Sequence, residues 1–169
     1  MAQRLNHYDA AFEEYLRETQ IPYVVVDEAK RALLHNASLK SMDFIVYSQR
    51  TRNLLVDVKG RRFPSGNHKN RHKWENWATR DDLQSLLQWQ QVFGEGFRAV
   101  LVFAYDIIDA RYSAEFDTVF NFRHRAYAFY GVWADEYEAE MRTRSASWET
   151  VSLPSQTFRT LRSPIEAFL

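Results

Sequence analysis

The chain has 169 residues, of which 46% are hydrophobic, with 5 Trp, 9 Tyr and 12 Phe, no cysteine and a formal net charge of zero. Those figures fit one globular domain with a sizeable apolar core, and they exclude a disulfide-built scaffold and a strongly basic coat for nucleic acid. The amino terminus lacks the apolar run of a signal peptide and no stretch approaches the ~20 apolar residues of a membrane span, so the expectation is a soluble, cytoplasmic protein.

Leu5, Tyr8, Phe12, Tyr15 and Leu16 recur at helical spacing, which predicts an amphipathic helix over the first twenty residues, ended by Pro22. Residues 23–27 are strand-like, and residues 29–35 are expected to add a short helix. A hairpin follows: residues 42–47 and 53–60 are rich in β-branched and aromatic side chains and flank a polar stretch at 48–52. Beyond Lys59, Gly60, Pro64 and Gly66 predict a loop running to Lys73. Thr79 and Asp82 form a capping signal ahead of Leu83, Leu86 and Leu87, and Gly94 stops that helix. Residues 97–105 are almost continuously apolar, as in a strand covered on both faces. Strands are then expected at 125–132 and 148–153. A helix is expected at 134–144, with Glu138 facing Arg142 and Glu140 facing Arg144. Ser163, Pro164 and Glu166 open a short closing helix. No repeat, low-complexity segment or linker divides the chain, which is therefore expected to be a single domain over residues 1–169.

The chemistry-bearing residues sit at the hairpin. Asp57 and Lys59 are two apart and share a face. If the turn is a three-residue loop at 49–51, Asp43 pairs across from Asp57 and all three side chains point the same way. Adjacent carboxylates raise each other's pKa, so such a pair calls for a cation or a shared proton, and a hard divalent metal is the natural relief. The bland alternative is a surface hairpin carrying a cross-strand ion pair, worth about 0.5 kcal/mol and no chemistry. Acid-x-Lys alone is a weak signal, since Glu28-Ala29-Lys30 is a second match. That one lacks an acid one hairpin strand earlier.

The order helix, strand, strand, strand, helix, strand over residues 4–105, with an acid opening the second strand and acid-x-Lys closing the third, resembles the PD-(D/E)XK nuclease superfamily. Its restriction-endonuclease-like and Holliday-junction-resolvase-like members are the nearest in pattern. The resemblance implies an α/β fold with a restriction-endonuclease-like core of helix, three-strand antiparallel meander, helix and strand. Residues 106–169 would then be an α+β elaboration. It also implies Mg²⁺ or Mn²⁺ on Asp43 and Asp57, with Lys59 acting on the attacking water. A helix-borne acid often joins the metal in such enzymes, and Glu13 is chosen over its rival Asp9. Glutamines on the helix after the lysine strand, here Gln84 and Gln88, are a further echo of the family. Met42 stands where the family has a proline, and Asp57 where glutamate is commoner. The implied substrate is nucleic acid, DNA before RNA, and many relatives act as homodimers. A catalytically silent nucleic-acid-binding relative and an oligomerisation or partner-binding module are the competing readings.

Between Lys59 and Lys73 there are six basic residues, two histidines and no acid. Arg61, Arg62, Lys69, Arg71 and Lys73 are the expected contacts to a phosphate backbone. Trp74, Trp77 and Trp89 suit a core better than a base-stacking platform. His68 and His72 lack a third ligand for zinc. No Gly-rich phosphate loop and no Gly-x-Ser-x-Gly elbow is present.

Overall fold

The computed structural model describes residues 6–27, 31–34, 37–65 and 73–169, without the side chains of 31–34 and 37. Helix α1 (His7–Glu18) starts at Asn6, whose side chain accepts the Tyr8 N–H at 2.9 Å, and buries Phe12, Tyr15 and Leu16. Then follow β1 (Tyr23–Val25), β2 (Arg31–Leu34), β3 (Ala37–Lys40), β4 (Phe44–Val46), β5 (Asn53–Phe63) and β6 (Ala78–Thr79). Helix α2 (Arg80–Phe93) precedes β7 (Phe97–Ile107), β8 (Phe120–Phe122), β9 (Arg125–Trp133) and α3 (Ala134–Glu140). The chain closes with β10 (Arg142–Ser145), β11 (Thr150–Ser152), α4 (Ser155–Leu161) and β12 (Ser163–Pro164).

The main sheet runs β1-β4-β5-β7-β9-β12, with β8 paired to β9. It is mixed. β1, β4 and β5 form an antiparallel meander, β5 and β7 pair in parallel over their full lengths, and β9 returns antiparallel to β7. Strand alternation sorts the core into two layers. Leu54, Val56, Val100 and Val102 meet Phe12 and Leu16 of α1 on one face. Leu55, Leu101, Phe103 and Tyr105 meet Leu83, Leu86, Tyr137 and Phe158 of the three later helices on the other. Such burial is worth about 1.5–3 kcal/mol for each large apolar side chain.

Three sequence expectations are corrected. Residues 31–34 and 37–40 form the antiparallel β2–β3 pair rather than a helix at 29–35; residues 29, 30 and 35 of that stretch lie outside the described residues. The Lys40 N–H to Ser85 Oγ bond at 3.2 Å and the Trp89 Nε1 bond to the Lys40 carbonyl at 2.8 Å hold β3 against α2. The predicted loop at Gly60 is strand as far as Phe63, because β7 offers a parallel partner out to Ile107. The helix expected over 134–144 stops at Glu140, and Arg142 and Arg144 instead lie on β10, paired with β11. Tertiary strand pairing outweighs the weak i,i+4 ion pairs in this last case.

Gly60 is required by a close approach. A β-carbon there would fall 2.0 Å from Cδ2 of Tyr8, so α1 can lay that ring against β5 only where the strand has no side chain. Among the described residues no helix is long and apolar enough to cross a membrane.

Candidate active-site cleft

The site arises where β4 ends before β5 does. Phe44, Ile45 and Val46 pair with Val56, Leu55 and Leu54. One step further along this register Asp43 stands opposite Asp57. The backbone there still bonds, with the Asp43 N–H donating to the Val56 carbonyl at 2.9 Å. Past this point β4 offers no further partner, and the Val58 N–H donates to Asp43 Oδ2 at 2.6 Å. The carboxylate thus caps a strand edge that would otherwise hold an unsatisfied donor. Asp43 is only 6% exposed.

Asp57, Lys59 and Arg61 alternate on the face of β5 that meets α2. Lys59 Nζ lies 3.1 Å from Asp57 Oδ2 and 2.7 Å from Asp82 Oδ2. Asp82 belongs to the first turn of α2, where Thr79 accepts its N–H at 3.1 Å. Its second oxygen receives Lys40 Nζ at 2.7 Å. The sequence signal of a helix cap is therefore real, but the capping segment also delivers a carboxylate to Lys59.

Electrostatics divide the acids. Burial is the main influence raising the Asp57 pKa, and the charge of Asp82 adds to it; Lys59 and a hydrogen bond with Asp43 oppose the rise. Burial also pushes Asp82 upward, but Lys59, Lys40 and Thr79 overcome it and bring the pKa down to about 2. Burial disfavours the Lys59 ammonium, yet Asp57 and Asp82 outweigh that cost and hold its pKa above the ordinary lysine value. Lys59 is a fixed cation at neutral pH.

These groups line a cleft of about 430 Å³, shared with Asn6, Tyr8, Asp9, Gly60, Arg61, Trp77 and Thr79. Asp9 is 2% exposed. Glu13, the helix-borne acid expected at the site, does not line the cleft: its Oε1 accepts Tyr23 Oη at 3.0 Å and Arg17 at 3.4 Å. One turn nearer the start of α1, Asp9 occupies the cleft wall, because the helix enters over Gly60 at its N-terminal end.

The expected phosphate contacts separate in space. Arg61 is turned inward, its guanidinium 3.8 Å over the Trp77 ring and bonded to the carbonyls of Gly60 and Trp77. Arg62 and Lys73 are exposed, and Lys69 and Arg71 lie outside the described residues, as do His68 and His72. Trp74 packs among Phe63, Tyr105 and Tyr130, so it is a core residue. Gln84 and Gln88 point to solvent on α2.

No group of three Asp, Glu or His side chains is arranged to hold a metal ion among the described residues. The donor chemistry nevertheless fits a hard cation of the magnesium kind, which is commonly held by only one or two carboxylates plus waters and substrate phosphate. The hydrogen-bonded Asp43 and Asp57 pair supplies that minimal oxygen set.

No protein-family model matches this chain, and no curated protein matches its sequence. In fold it is similar to Hjc, a Holliday junction resolvase from the archaeal hyperthermophile Archaeoglobus fulgidus, with a TM-score of 0.54 and 15% identity over 96% of each chain. That likeness is one of fold and extends through the carboxyl-terminal third. Residues 106–169 supply β9 and β12 to the main sheet, so the final third completes the same layer that carries Asp57 and Lys59.

Proposed function

We propose that this chain is a divalent-metal-dependent nuclease of the PD-(D/E)XK superfamily that hydrolyses phosphodiester bonds in DNA. The observation that carries this reading is the juxtaposition of Asp43 and Asp57 at the end of β4, with the Lys59 ammonium 3.1 Å from Asp57 in an open cleft. Asp43 and Asp57 would hold Mg²⁺ or Mn²⁺. The cation would supply a water of lowered pKa and neutralise charge on the scissile phosphate.

The roles of the protein groups follow from their environments. Burial is the main cause of the raised Asp57 pKa, with the charge of Asp82 adding to it, so a cation bound there would offset the cost of the buried carboxylate. Lys59 is held protonated, so it acts as an electrostatic anchor for phosphate oxygens and for the charge that builds in the transition state, and not as a proton acceptor. Asp82 positions Lys59 from the opposite side. Asp9, on the cleft wall, is the helix-borne acid best situated to orient a metal-bound water shell.

The test is cleavage of end-labelled linear duplex, four-way junction and single-stranded DNA, with and without Mg²⁺ or Mn²⁺. Metal-dependent product with the wild type, and a loss of at least about 100-fold with Asp57→Asn, supports the reading. Absence of cleavage on every substrate with both metals, in a protein that binds DNA, replaces it with a catalytically silent binding relative. The doubly engaged Lys59 ammonium is the observation that keeps this second reading in view.

A further inference from the structure

The β10–β11 hairpin has features that the cleft chemistry does not use. It is tied to the cleft rim through β6, where Val151 pairs with Ala78 and Thr150 with Thr79, one to two residues from Trp77. Thr79 and Trp77 are themselves walls of the cleft. Arg144 on β10 has its guanidinium 5.1 Å from the Trp77 ring, so that indole contacts both Arg61 and Arg144. Arg142 and Arg144 are exposed. With Lys73, Ser152 and Ser155 they line a second groove of about 270 Å³, whose one acid is Glu75.

At the tip of the hairpin stands Trp148, 79% exposed, the most exposed large hydrophobic side chain among the described residues. Its backbone is fixed: the Trp148 N–H donates to Ser145 Oγ at 3.3 Å, and the neighbouring Glu149 carbonyl accepts the Arg80 N–H at 2.8 Å. A solvent-facing indole on an anchored turn presents a free ring face on which a base can stack. A pair of arginines on the adjoining strand adds the opposite charge to a phosphate chain.

We propose that this hairpin is a second nucleic-acid contact. Arg142, Arg144 and Lys73 take the phosphates of the strand leaving the cleft past Trp77, and Trp148 stacks on an unpaired base. The preferred substrate is accordingly DNA with an unpaired or branched element next to the cut, rather than continuous duplex. This specificity rests on the nuclease reading of the cleft, but the binding surface does not.

The experiment is fluorescence anisotropy without divalent metal, over a series of salt concentrations, on forked and blunt duplexes of equal length. Arg142→Ala with Arg144→Ala is expected to weaken binding to both DNAs by about 10-fold or more and to make the salt dependence shallower by about two phosphates. Trp148→Ala is expected to weaken forked DNA by about 5–10-fold and leave blunt duplex within about twofold, while Trp148→Phe retains most of the preference. All three positions are exposed, and circular-dichroism melts check that the variants fold. Equal binding of forked DNA by wild type and Trp148→Ala overturns the stacking role. Unchanged salt dependence in the double arginine variant overturns the phosphate track, and so does a wild type that binds neither DNA. Hairpin-dependent binding without cleavage in any metal removes the nuclease reading alone; cleavage without hairpin dependence removes this inference alone.

Discussion

Lys59 and Asp82 meet at 2.7 Å across the gap between β5 and α2, both with about one-sixth of their side chains exposed. This contact does more than neutralise charge, because α2 also carries Leu83 and Leu86 into the core. Replacing Asp82 by Ala leaves two lysines beside a cleft with one acid fewer. We expect a stability loss of roughly 3 kcal/mol by urea unfolding, the cost of stranding a partly buried charge. Lys40→Met removes the more exposed arm of the same network and should cost no more than about 1 kcal/mol. Equal losses for the two variants would show that Lys59 does not depend on Asp82.

The opposed shifts of Asp57 and Asp82 give the protein a distinctive pH response. Asp82 has a folded pKa of about 2, below its unfolded value, so its contribution is complete above pH ~4 and is lost as the pH falls through about 2. Asp57 is shifted the other way: its contribution is complete while it is protonated and is lost as the pH rises through its folded pKa. Thermal melts from pH 2 to 7 should therefore show a flatter acid limb for Asp82→Asn. Asp57→Asn should gain about 0.5–2 kcal/mol near pH 7, the stability gain typical of relieving a functional site, while losing cleavage. A destabilised Asp57→Asn at neutral pH would contradict the raised pKa.

The β-branched and aromatic flanks and the polar turn made the β4–β5 hairpin legible in the sequence, and its register followed once the turn was taken as three residues. Phe44 pairs with Val56, as a three-residue loop at 49–51 requires. The apolar run of β7 and the Thr79 cap were equally plain, since each rests on local chemistry. Less legible were elements whose partner lies far along the chain. Residues 60–63 look like a loop by composition, yet pair with residues 104–107 of β7. Arg142 and Arg144 look helical by spacing, yet lie on β10, where Arg142 pairs with Ser152 of β11 and Arg144 falls at a bulge. Asp82 carries two signals, and the capping signal concealed the one toward Lys59. Between Asp9 and Glu13 the helical wheel cannot choose, because they share a flank. The entry of α1 over Gly60 decides which of them reaches the cleft.

Gly60 and Tyr8 provide a test of that entry geometry. Gly60→Ala should force the Tyr8 ring off β5 and cost about 1–3 kcal/mol, as overpacking does. In a Gly60→Ala, Tyr8→Ala double variant the ring that clashes is gone. The two losses should then be less than additive by about 1 kcal/mol or more, measured by chemical unfolding. Additive losses would mean that α1 does not rest on β5 through this contact.

Asp9 and Glu13 offer the sharpest discrimination within the cleft. Both are acids on α1, one turn apart, but Asp9 lines the cavity with Asp43 and Asp57 whereas Glu13 accepts hydrogen bonds from Tyr23 and Arg17. If the acid on the cleft wall orients the hydrated metal, Asp9→Asn should lower cleavage by about 10–100-fold, the usual penalty for losing an outer-shell partner. Raising the Mg²⁺ concentration should partly restore it. Glu13→Gln should cleave within about twofold of wild type and lose only the small stabilisation of an exposed ion pair. The reverse order, with Glu13→Gln inactive and Asp9→Asn active, would require α1 to slide by about one turn, ~6 Å, along its axis in the functional state, and hydrogen exchange on residues 7–18 with and without Mg²⁺ would reveal it.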